Sequence, residues 1–176
     1  MQRVFIFIIA LIFTTLSTIS FADSLNKQDS KNCICNPTLY AKRKVILEKM
    51  ITYMETRNMN GLLSQMSDKN LTFAELMGTG RVVHSKAGVR KILGGFWTHL
   101  TKETKWDVKR MIIDNCQNAA TIQILDHIQY DHINIVTPAV VVIQFDKNNK
   151  IESRQDFSDS AVFLNAMHGK SWISKK

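Results

Sequence analysis

The sequence is poor in everything that would make a fibrous, disordered or disulfide-built protein. Among 176 residues there are 7 Gly, 2 Pro and 3 Cys, while 45% of the side chains are apolar and 22% are charged. So little Gly and Pro excludes collagen-like and low-complexity chains, and the apolar share is that of an ordinary globular domain. Three Cys allow one disulfide at most, too few to replace a hydrophobic core. Acidic residues are also scarce, 15 against 23 Lys and Arg. A basic excess attracts nucleic acid, anionic lipid or acidic glycans. Here, however, the one dense group, Lys42, Arg43, Lys44 and Lys49, falls in a helical pattern as a solvated face. No aromatic residues interleave with it to stack on bases. No nucleic-acid partner is expected.

The signatures of cofactor chemistry are missing too. No His-Glu-x-x-His occurs, and His127 and His132, five apart on a strand, point to opposite faces. Gly78-x-Gly80 lacks the third Gly and the preceding long strand of a nucleotide loop, and there is no Gly-x-Ser-x-Gly elbow. Neither a metal nor an organic cofactor is expected.

A long apolar run occurs once. Arg3 precedes Val4 to Phe13, and a Ser/Thr-rich stretch then ends in Ser20-Phe21-Ala22, the pattern of a cleavable secretory signal cut after Ala22. A retained anchor would need about 20 predominantly apolar residues, and Thr14, Thr15, Ser17, Thr18 and Ser20 interrupt the second half. The expected product is secreted or periplasmic, has no membrane segment after cleavage, and keeps 154 residues with a formal charge of +7. Residues 23–37 read as a flexible arm, 38–168 as one domain and 169–176 as a loose tail. In an oxidising compartment Cys33, Cys35 and Cys116 are disulfide candidates. Cys33 and Cys35 flank a single residue, so a bridge from one of them to Cys116 is easier than a strained ring between them.

Helical spacing over Thr38 to Arg57 predicts a long first helix, and Leu62 to Met66 a short apolar turn. A short strand is expected from Leu71 to Met77. Ser85 then caps a helix whose Val89, Ile92, Leu93, Phe96, Trp97 and Leu100 form one buried stripe. After Leu100 the period changes from helix to strand. Trp106 to Asp114, Ala119 to Tyr130, Asn134 to Phe145 and Ile151 to Phe157 are four runs rich in Ile and Val, joined by loops so short that neighbours must be antiparallel. Ala161 to His168 reads as a closing helix. Pro138 to Phe145 is apolar on both faces, which predicts that helices cover one face and a second copy of the chain the other, as a homodimer.

This element order resembles the NTF2-like superfamily, in particular its SnoaL-like and limonene-epoxide-hydrolase-like branch. Asn60-Gly61-Leu62-Leu63 with Ser67-Asp68-Lys69-Asn70-Leu71, the stretch Val83 to Ile92, and Lys150-Ile151-Glu152-Ser153-Arg154-Gln155-Asp156-Phe157-Ser158-Asp159 look like three of its local patterns. The resemblance implies an α+β cone, a curved antiparallel sheet of four long strands plus a short one packed against about three N-terminal helices. It also implies a pocket for a small, largely apolar molecule. Enzymes, ligand binders and dimerising modules all share that cone, so the fold leaves function open.

Four residues are candidates for acid/base chemistry. Alternation puts Asp126 alone among Ile122, Ile124, Ile128 and Tyr130, and a carboxyl in apolar surroundings is a potential general acid or base. By resemblance, Glu75 stands near the proton-transferring Asp of ketosteroid isomerases, and Asp156 near the second Asp of an Asp-Arg-Asp set that activates water in epoxide hydrolases. The positions expected to complete that set hold His127 and Gln129. A pair of His127 with Asp156 remains open, as does a solvated face of Glu152, Arg154 and Asp156. The family register turns His127 inward where alternation turns Asp126 inward, a conflict that a bulge before Tyr130 would reconcile. Phe96, Trp97, Ile124, Ile128 and Tyr130 are the expected pocket lining.

Overall fold

The computed structural model describes residues 36–75, 80–131 and 133–167. The expected leader, residues 23–35 of the expected arm, with Cys33 and Cys35, and the C-terminal tail lie outside the described residues; Asn36 and Pro37, expected in the arm, instead begin the first helix.

Local sequence explains where each helix starts. Asn36 accepts a hydrogen bond from the Leu39 amide, and Pro37 opens helix α1 (Pro37–Glu55) at the first turn, where its missing N–H costs nothing. Asn58 caps α2 (Met59–Gln65) in the same way, through the Gly61 amide. Ser85 caps α3 (Lys86–Trp97) through the Gly88 amide, as its position predicts. A final helix, α4, spans Ser160–Met167.

Six strands form one sheet: β1 (Thr72–Glu75), β2 (Arg81–Val83), β3 (Lys105–Asp114), β4 (Ala119–Tyr130), β5 (Ile133–Phe145) and β6 (Ile151–Ser158). Their order is β2-β1-β6-β5-β4-β3. The four long strands are an antiparallel meander, as the short loops require. The expected four long antiparallel strands and a short strand are present, and the short strand brings a second with it. β1 runs parallel to β6, and β2, where the sequence predicts no element, pairs with β1. Three or four residues are too few to show a period; β1 pairs with the edge of β6 and β2 with the edge that β1 then presents.

The inner face of the meander carries Ile122, Ile124, Val141 and Ile143, which share one core with Leu47 and Met50 of α1 and Val89, Leu93 and Trp97 of α3. The outer face is different: Val136 is 55% exposed and Phe157 43%, with Ile112 of β3 also exposed. Both sides of β5 are therefore apolar, but only one is covered among the described residues.

One charge is buried at the far end of this core. Arg43 of α1 is 2% exposed. Its Nε donates to Asn149 Oδ1 (3.0 Å), Nη1 to Asn115 Oδ1 (3.2 Å) and Nη2 to Asn118 Oδ1 (2.6 Å), while the guanidinium lies over the Phe145 ring. A residue read as part of a solvated basic face is thus a clasp between the first helix and the β3–β4 and β5–β6 turns. Cys116, in the first of those turns, is disulfide-bonded.

Candidate functional site

Asp126 lies on β4, and Arg154 and Asp156 lie two residues apart on β6, so strand alternation sends both β6 side chains to one face. All three are inward and buried, at 1%, 3% and 8% exposure. The solvated face of Glu152, Arg154 and Asp156 does not form, because Arg154 and Asp156 satisfy each other beneath the helices. Arg154 Nε donates to Asp156 Oδ1 (2.8 Å) and Nη2 to Oδ2 (2.7 Å), a fork-to-fork ion pair. The guanidinium also sits 5.4 Å from the centre of the Phe73 ring on β1.

Asp126 has no such partner. Its Oδ1 is buried without a hydrogen bond, and so is Nη1 of Arg154. Burial first, and then the nearby Asp156 carboxylate, push the Asp126 carboxyl up to about 7, against a smaller opposing pull from Arg154. At neutral pH this group holds and releases a proton with comparable ease.

These polar atoms line a cavity of about 270 Å³. Its walls are apolar and aromatic: Met54 from α1, Phe96 from α3, Trp106 from β3, Ile124 and Tyr130 from β4, and Phe163 from α4. Phe96, Tyr130 and Phe163 form a ring cluster with centroids 5.8 to 6.4 Å apart. Arg81, Lys91 and His99 complete the lining. A larger surface cleft of about 820 Å³ near the β5–β6 turn is a weaker site. Its Asp146 carboxylate is already taken by the Ser67 hydroxyl and the Asn148 and Lys150 amides.

Of the expected lining residues, Phe96, Ile124 and Tyr130 face the cavity. Trp97 and Ile128 are buried in the core instead. His127 is on the outer side of β4, so the His127–Asp156 pair is not assembled. The β4–β5 register runs unbroken from Ala119 to Tyr130, with no bulge to turn His127 inward; the slip lies on β3, between Val108 and Arg110. Glu75 is aligned with Asp156 across the β1–β6 pair. Arg154 is the residue sequence reasoning missed. Its signal was the i, i+2 spacing from Asp156, which puts a guanidinium within bidentate reach on the same face. An Asp-Arg-Asp set is therefore present, with its Arg supplied by β6 rather than by β4.

A bent sheet of this order, with helices on one face and a polar-tipped cavity between them, is the NTF2-like fold. It is the form of that fold shared by SnoaL-like, ketosteroid-isomerase-like and epoxide-hydrolase-like proteins. A Shewanella denitrificans OS-217 protein described as a SnoaL-like polyketide cyclase superposes with a TM-score of 0.62 at 12% identity, over 73% of this chain and 98% of that one. An LEH-like epoxide hydrolase of M. tuberculosis gives 0.60 at 10% identity, over 73% and 91%. A Catenulispora acidiphila DSM 44928 protein with a ketosteroid isomerase-like fold gives 0.60 at 13%, over 72% and 93%. No family model matches the sequence, and no curated protein matches it.

Proposed function

We propose that the chain binds a small, largely apolar, oxygen-bearing molecule in this cavity and moves a proton on it, in chemistry of the isomerase, cyclase or hydrolase type. The observation that carries this is Asp126, a carboxyl 1% exposed on a cavity wall, with one oxygen unpartnered and a pKa near 7. A structural carboxyl would be hydrogen-bonded or ionised at the surface. In the proposed roles, Arg154 Nη1 donates to an oxygen of the ligand, and Asp156 holds the guanidinium in place. Asp126 gives its proton to the ligand or takes one from it. The apolar walls exclude water, which strengthens each of these interactions.

Native mass spectrometry of protein purified from its host tests the reading. We expect a co-purified small molecule on both the unsubstituted protein and Asp126→Asn. Conversion should occur with the unsubstituted protein only, at a rate that changes across pH 7. A chain that carries nothing, with a cavity filled by its own side chains in ligand-soaked crystals, would end it.

We infer also that a second copy covers the outer sheet face, where Val136, Pro138, Val140, Val142 and Phe157 lie together across β5 and β6. Burying each Val contributes about 1.5 kcal/mol or more. The mature chain should sediment as a dimer at micromolar concentration, and Val140→Lys should yield monomers or aggregates; an unsubstituted monomer overturns the interface. We further propose export. The Arg3-to-Ala22 pattern and the disulfide at Cys116, a bond that persists in oxidising compartments, support it. N-terminal sequencing of the protein from its host should begin at Asp23, and an intact Met1 would refute cleavage.

A further inference from the structure

At the other end of the cavity from Arg154 the chain builds a second polar device. The loop after α3 is zipped to the end of β4: the Thr101 amide donates to the Gln129 carbonyl, and the Asp131 amide to the His99 carbonyl (2.7 Å). This fixes His99 beside Asp131. Asp131 adopts the left-handed conformation (φ +52°), uncommon for a residue with a side chain. In that conformer both of its carboxylate oxygens are 3.2 Å from His99 Nδ1. The imidazole face stacks on Tyr130, centroids 4.9 Å apart and planes at 18°. Two independent contacts, one in the ring plane and one on its face, therefore set the orientation of a side chain that lines the cavity.

A carboxylate can only accept, so Nδ1 carries a hydrogen, and in the neutral ring the lone pair is then on Nε2. Within the protein, Nε2 has no hydrogen-bond partner among the described residues. Arg81 and Lys91 also line the cavity. In the neutral form Nε2 is an acceptor on the cavity wall, and it favours a ligand group that donates a hydrogen.

We propose that His99, positioned by Asp131 and Tyr130, is a recognition site for an acidic hydroxyl, a phenol or an enol, at the outer end of the ligand. The inference rests on the reading of the cavity as a ligand site and adds a second polar anchor to it. Tyr130 is four residues from Asp126 on β4, about 13 Å along the strand. The ligand is thus an elongated apolar molecule with an oxygen acceptor at the Arg154 end and a hydroxyl at the His99 end. Phe96, Tyr130 and Phe163 supply the aromatic wall between them.

The test uses the full mature chain and two synthetic probes of one shape, chalcone and 4-hydroxychalcone, with binding read by isothermal titration calorimetry. We expect the hydroxylated probe to bind about tenfold more tightly, the effect of one hydrogen bond to a charge-assisted acceptor. His99→Gln should bring that ratio to about one, with the loss falling on the hydroxylated probe, and circular dichroism shows that the variant is folded. Asp131→Asn, which tolerates the same backbone conformer, should reduce the ratio. Equal affinities in the unsubstituted protein overturn the proposal, as does a His99→Gln loss shared equally by both probes. An unchanged ratio in Asp131→Asn overturns the dyad. Binding of neither probe would overturn the cavity reading and the inference with it, a result distinct from binding without discrimination.

Discussion

Above pH 7, Asp126→Asn is expected to be more stable than the unsubstituted chain by about 3 kcal/mol, and below pH 4 the two should be equally stable. The Asp126 carboxyl titrates near 7 when folded, against an ordinary value of 3.8. Between those values the folded chain binds a proton that the unfolded chain has released. Stability therefore falls as pH rises through this window, by about 1.4 kcal/mol per unit at most, and the loss is complete above pH 7. Three units give an upper bound of about 4 kcal/mol, which relaxation and water entry reduce. Asn has the same shape and no titration, so it is spared the loss. Urea unfolding at pH 4, 5.5 and 8 checks this; two stability curves separated by a constant offset would show that Asp126 is not the group responsible.

Arg154→Met should be the most damaging single change in the cavity, at about 3 to 5 kcal/mol, because it strands Asp156 as a buried carboxylate without a partner. It also removes the one neighbouring charge that restrains the Asp126 shift. The double variant Arg154→Met/Asp156→Leu, with no charge left to compensate, should recover most of the loss. Denaturation midpoints of the two variants decide the matter. A single variant costing less than about 1 kcal/mol would mean that water reaches the pair.

The four long strands could be read from the chain because they alternate apolar with polar residues or, in β5, run apolar on both faces, and are bounded by Asn or Asp turns. Those turn residues include Asn118, Asp131 and Asn149, all of which adopt positive φ in the structure. Alternation likewise singled out Asp126, since a lone acid on an apolar face is a local signal. What could not be read depends on partners remote in sequence. The parallel pairing of β1 with β6 joins Thr72 to Ser153, with no local period to announce it. Arg154 resembled a surface residue because burial of a charge is decided by what lies above the strand. Alternation also tells which face Ile128 takes but not whether the space over it is filled, so lining and core residues could not be separated.

The Arg43 clasp bears on how the chain folds. Its guanidinium is satisfied by Asn115, Asn118 and Asn149, which are 72, 75 and 106 residues away. Helix α1 can form from local contacts alone, but docking it buries a cation that remains uncompensated until the tips of both hairpins are in place. A chain holding only the helices and the first hairpin thus incurs the desolvation of Arg43 without its full set of acceptors. Intermediates of that kind are disfavoured, and unfolding should proceed as a single cooperative transition in which α1 and the β5–β6 hairpin lose amide protection together.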